Sequence, residues 1–125
     1  MGRSVSELIH SYVPMSEPSF LSLLCLVEPK HGYGIMQKVL EQSGGRVSLG
    51  ASTVYTILYK MEQDGLIRVA SEVDRRKVYQ ITSAGYEVLE AETARLGELA
   101  RFANAVLSRN PGPVKALCGA TERSV

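Results

Sequence analysis

The side chains with chemical reach fall in two short stretches. Ser52, Thr53, Tyr55, Thr56, Tyr59 and Lys60 place five hydroxyls and one ammonium within nine residues, and Arg75, Arg76 and Lys77 form the densest cation run of the chain. Small hydroxyls can exchange hydrogen bonds with the edges of bases, and a cation run can neutralise phosphates and release their counterions. A run of charge is as readily a solvated turn, so these cations take their meaning from the element that carries them. Catalysis is poorly served by the rest. No serine or cysteine has a base and an orienting acid at a usable spacing, the two histidines lie twenty-one positions apart, and there are only two aspartates. An enzyme is therefore not expected, and neither is a metal or a cofactor. His31 reads as a capping or packing residue, and Gly44-Gly45 lacks the spacing and lysine of a phosphate loop.

The elements that must hold these groups can be read from periodicity. Over residues 51–64, Val54, Ile57, Leu58 and Met61 cluster on one side of a helix turning about 100° per residue, and Ser52, Thr56, Tyr59, Lys60 and Gln63 cluster on the other. Gly65 ends that helix. Residues 66–73 and 77–82 are rich in β-branched and aromatic side chains around a charged centre, which predicts a hairpin with the cations at its tip. Ahead of them, Ser16 with Glu17-Pro18 starts a helix that runs to about Val27, apolar nearly all round and closed by Pro29. A surface helix with Ile35, Met36, Val39 and Leu40 on one stripe follows over residues 32–42. Residues 5–12 predict a short helix closed by Pro14, and Val47-Ser48-Leu49 a single strand interaction.

After Thr82, as a cap, a last helix is expected to about Ser108. Its apolar and small residues Tyr86, Leu89, Thr93, Leu96, Ala100, Ala103 and Leu107 recur at spacings of three and four, widened by Leu99, Phe102 and Val106. Such a stripe exceeds what a small domain needs for its own core. Tyr86, Leu89, Leu96, Leu99, Ala100, Phe102, Ala103 and Val106 are the residues expected to pair with a second copy. Asn110-Pro111-Gly112-Pro113 breaks the helix.

The chain has 125 residues with 45% hydrophobic and 22% charged composition, the range of one folded domain. Net charge is +1 overall. Residues 46–81, however, carry six basic against four acidic groups, and residues 82–107 two against four. The longest strongly apolar stretch, residues 20–27, is far shorter than the roughly 18 residues of a membrane span, so no membrane partner is expected. The two cysteines, Cys25 and Cys118, form no disulfide framework, and a reducing cytoplasm is the expected location.

Helix, helix, helix, hairpin and long helix is the order of a winged helix-turn-helix, a mainly α class with a small β-hairpin. The division expected is an N-terminal extension over 1–15, a winged DNA-binding domain over 16–82, a dimerisation helix over 83–108 and a mobile tail over 109–125. In that context the polar helix face and the cation run become a DNA-reading face and a wing. Tyr33, at the entry of the second helix, either approaches the DNA backbone or sets helix packing. A winged helix used only for protein contacts would favour exposed apolar anchors on the polar helix and lose the wing cations. It stands as the alternative.

Three strings make the resemblance specific: HGYGI over 31–35, STVYTILYKMEQDGLI over 52–67 and RRKVYQITSAG over 75–85. The chain resembles the PadR family of transcriptional regulators. That resemblance implies a homodimer joined through its C-terminal helices, usually repressing transcription from a palindromic double-stranded DNA operator. A single C-terminal helix is similar to the short branch of the family. Two departures stand out. Val73-Asp74 occupies a place where members often have glycine-proline, and the chain has no tryptophan, so the capture of flat aromatic cations between tryptophans is not carried over. A small hydrophobic or phenolic effector, if bound, would draw on Tyr12, Phe20 and Phe102.

Overall fold

The computed structural model describes residues 3–110 and residue 112. Eight elements follow one another: α1 (Val5–Tyr12), α2 (Glu17–Cys25), β1 (Lys30–His31), α3 (Gly32–Gln42), α4 (Ala51–Gln63), β2 (Ile67–Val73), β3 (Arg76–Ile81) and α5 (Ser83–Arg109). This is the mainly helical winged arrangement with a long last helix that the pattern predicts. Apart from Arg109, Asn110 and Gly112, the expected tail lies outside the described residues.

Local chemistry sets the helix starts. Ser4 accepts the Glu7 N–H while Glu7 accepts the Ser4 N–H, a reciprocal cap for α1. Ser16 accepts the Ser19 N–H at the head of α2, which also carries Pro18 in its first turn. Helix α2 ends at Cys25, two residues before the expected Val27, and the Leu26 N–H returns to the carbonyls of Leu23 and Leu24. At α5 the Thr82 hydroxyl accepts the Gly85 N–H at 3.1 Å and lies 2.6 Å from the Gly65 carbonyl, so one side chain joins the end of α4 to the start of α5.

The sheet corrects one expectation. Val47-Ser48-Leu49 forms no strand; Leu49 is buried, and the Val47 N–H is held by the Ser43 hydroxyl at 2.9 Å. The third strand is β1, which pairs antiparallel with β3 to give the order β1-β3-β2. Two residues carry no readable alternation, so only the pairing reveals them.

Residues 3–93 and residues 94–110 form two compact units, the second being the C-terminal part of α5. In the first, Leu23, Leu26, Ile35, Val54, Leu58 and Val88 are almost wholly buried. Each such side chain contributes about 1.5–3 kcal/mol by leaving water, and together they lock α4 against α2 and α3. Glu92 is also buried in this unit and accepts the Met15 N–H at 3.1 Å.

Candidate nucleic-acid interface

Helix α4 presents two faces as predicted. Val54, Leu58 and Met61 are buried, Ile57 is half-buried, and Ser52, Thr53, Tyr55, Thr56, Tyr59 and Lys60 are all exposed. Tyr55 and Tyr59 are 50% and 67% exposed, more than a ring kept for core packing would be. With Gly50 as a cap that has no side chain to offer, the first N–H groups of α4 also lack a side-chain partner.

The wing is a two-residue hairpin. Val73 pairs with Arg76, and Asp74 and Arg75 between them take positive φ of 52° and 64°. This is the twist-matched turn that tight hairpins favour, usually built from asparagine or glycine. The structure refines the expected placement of the cations: Arg75 alone occupies the tip, while Arg76 and Lys77 belong to β3. All three are exposed.

Helix α3 and the wing meet beside α4. Tyr33, Tyr55, Arg75, Arg76 and Lys77 line one cleft of about 330 Å³, together with His31, Gly32 and Tyr79. Close approach builds this cleft. A Cβ placed on Gly32 would stand 2.5 Å from the Tyr55 hydroxyl oxygen, so only a glycine lets the tyrosine lie against the head of α3. His31 Nδ1 lies 3.3 Å from the Lys77 carbonyl and ties the strand to the same helix head when that nitrogen carries the proton. At the floor, burial raises the Tyr79 hydroxyl pKa, with Glu62 and Tyr55 adding to the shift.

The remaining candidates lie elsewhere on α4. Ser52, Thr53 and Tyr59 stand on its open face, whereas Thr56 and Lys60 line a second cleft of about 240 Å³ that also includes Tyr12 and Met15. There the Lys60 ammonium is 3.1 Å from an Asp64 carboxylate oxygen and 5.2 Å from the centre of the Tyr12 ring. Sequence reading did not single out Asp64, Tyr12 or Arg3 for this region, because 52 residues separate the Tyr12–Asp64 hydrogen bond and no local pattern announces it. Among the expected pairing residues, Leu89 is buried in the first unit and Tyr86 is exposed beside it.

No cluster of three metal-ligating side chains occurs among the described residues, and no described helix is long and apolar enough to cross a membrane. A three-helix core, a basic two-stranded wing and an amphipathic helix with an outward polar face define a winged helix-turn-helix regulator. Residues 20–91 match the transcriptional regulator PadR-like family, over half of the chain, and the chain belongs to that family. Its members regulate transcription and are not enzymes.

Among solved structures, the chain is similar to a PadR family transcriptional regulator from Eggerthella lenta, with 27% identity, a TM-score of 0.62 and coverage of 85% of this chain and 90% of that one. It is also similar to a PadR family transcription regulator from Clostridium difficile, with 25% identity, a TM-score of 0.59 and coverage of 78% and 100%. An uncharacterized 37.1 kDa protein in transposon TN4556 of Streptomyces fradiae is 33% identical over 85 residues. That match covers 67% of this chain and 24% of the other, so the chain spans about a quarter of the length of this curated relative.

Proposed function

We propose that this chain is a sequence-specific DNA-binding repressor that acts as a homodimer on a palindromic operator. The observation that carries the reading is the cleft where wing, α3 and α4 meet: Arg75, Arg76 and Lys77 share it with Tyr55 of the polar helix. In this reading α4 enters the major groove with Ser52, Thr53 and Tyr55 foremost, since residues near the N-terminus of a recognition helix reach base edges. The wing cations and Tyr33 grip the flanking backbone or minor groove.

Dimerisation is supported by the apolar face of α5. Leu96, Leu99, Phe102 and Leu107 are 39%, 51%, 69% and 63% exposed, and Ala100 and Ala103 between them are small enough for close helix approach. A contiguous apolar face of this kind marks an interaction surface.

The test is the salt dependence of duplex DNA binding. Arg75→Ala with Arg76→Ala should weaken binding far more at low salt than at high salt and flatten the slope of log K against log salt by about 1.8 units, near 0.9 per lost phosphate contact. An equal loss at every salt concentration would mean that the hairpin had been damaged and the cations do not face phosphate.

A further inference from the structure

Asp64 caps the C-terminal end of α4. Its carboxylate gathers three partners from separate parts of the chain. The Tyr12 hydroxyl donates to Oδ2 at 2.7 Å, the Lys60 ammonium stands 3.1 Å from the same oxygen, and the Arg3 guanidinium is 3.2 Å from Oδ1. Lys60 also lies 5.2 Å from the centre of the Tyr12 ring, close enough for a cation–π attraction. Burial pushes the Asp64 carboxyl pKa up, but the hydrogen bonds from Tyr12 and Lys60 outweigh it and hold it below the usual carboxylate range. Asp64 is therefore ionised at neutral pH.

Lys60 is the one cation that α4 carries. Its side chain is 65% exposed while that of Asp64 is only 18% exposed, so the lysine is the solvent-facing partner of a largely covered acceptor. We propose that Asp64 is a positioning residue for DNA binding: it holds Lys60 against Tyr12 and keeps that cation from phosphate in the DNA complex as well as in the free protein. The inference rests on the reading of α4 as the DNA-facing helix. The pair must be broken before the lysine can contribute a phosphate contact of its own. The N-terminal helix thereby acquires a role in tuning affinity, since its Tyr12 both orients the carboxylate and cradles the ammonium.

The test compares the full-length chain with Asp64→Asn, Lys60→Ala and the double variant, each titrated with a short mixed-sequence DNA duplex over a range of salt. Asparagine keeps the shape of the cap and can still accept the Tyr12 hydroxyl. Asp64→Asn should bind several-fold more tightly at low salt, with a slope of log K against log salt steeper by about 0.9. The double variant should show the slope of Lys60→Ala. Asp64→Ser should steepen the slope as Asp64→Asn does, so the outcome does not hang on one substitution folding. A purely structural clamp would instead lower the melting temperature of Asp64→Asn and leave its slope at the wild-type value, which overturns the proposal. A steeper slope that survives in the double variant overturns it too, because the released cation is then not Lys60. Wild-type protein with no salt-dependent binding overturns both this inference and the DNA-facing reading, whereas a steep wild-type slope indifferent to Asp64 overturns the inference alone.

Discussion

Arg75 serves two ends that pull against each other. As the second residue of the hairpin turn it sits at a φ of 64°, a region that a side chain with a Cβ enters only at a cost. As the tip of the wing it is the cation best placed to reach beyond the protein surface. Glycine would remove the first burden and the second benefit together. Arg75→Gly should therefore stabilise the fold by up to ~1 kcal/mol, the steric relief at positive φ being partly offset by the freedom glycine gains in the unfolded chain. DNA affinity should fall in the same variant. Thermal melting and a binding titration on one preparation check the pair of outcomes. A drop in melting temperature would show that the arginine side chain supports the turn and contradict this account of the wing.

The junction of α4, β2 and α5 is held by contacts shorter than a helix turn. The Thr82 N–H and the Thr82 hydroxyl both reach the Leu66 carbonyl, at 2.9 and 3.0 Å, and a Cβ added at Gly85 would stand 2.1 Å from that same carbonyl oxygen. In an open helix, alanine in place of glycine gains about 1 kcal/mol. Here the clash is with backbone that two other bonds fix, and overpacking of this kind costs typically 1–3 kcal/mol, so the loss wins. Gly85→Ala should lower stability measurably in a denaturant titration, and an increase would mean that α5 can shift freely at its start.

Much of this layer was legible in the sequence. The α4 stripe, the Ser16 and Thr82 caps and the hairpin flanks follow from local pattern, since each depends on residues within a few positions of one another. What was not legible depends on distance. β1 exists only because β3 pairs with it, Leu49 is buried without being in a strand, and the Asp64 cluster joins the end of α4 to residues of the N-terminal segment. At the candidate site, the residue types were readable. Their division between the wing cleft and the Lys60 cluster was not, because periodicity places a side chain on a face but does not say which neighbour covers it.

For the whole molecule, the proposed assembly couples two properties. If α5 pairs with a second copy, the spacing of two α4 helices is set by that pairing, and a palindromic site would be read at half-sites about one helical turn, roughly 34 Å, apart. Leu96→Glu places a charge within the exposed apolar face of α5 and leaves the buried core untouched, because Leu96 is exposed. It should shift the mass measured by light scattering toward the monomer and weaken DNA binding together, with the melting of the winged domain little changed. A variant that remains dimeric and keeps wild-type affinity would place the assembly elsewhere.

Selection of binding sites from a pool of random duplexes tests the central claim most directly, because it asks at once whether the chain reads sequence and whether it does so as a symmetric pair. Wild-type protein should enrich a palindrome with half-sites centred about 10 base pairs apart, and Tyr55→Ala should relax the preference at one position in each half-site while leaving the spacing intact. No enrichment over the starting pool, with binding indifferent to base sequence, would contradict the account.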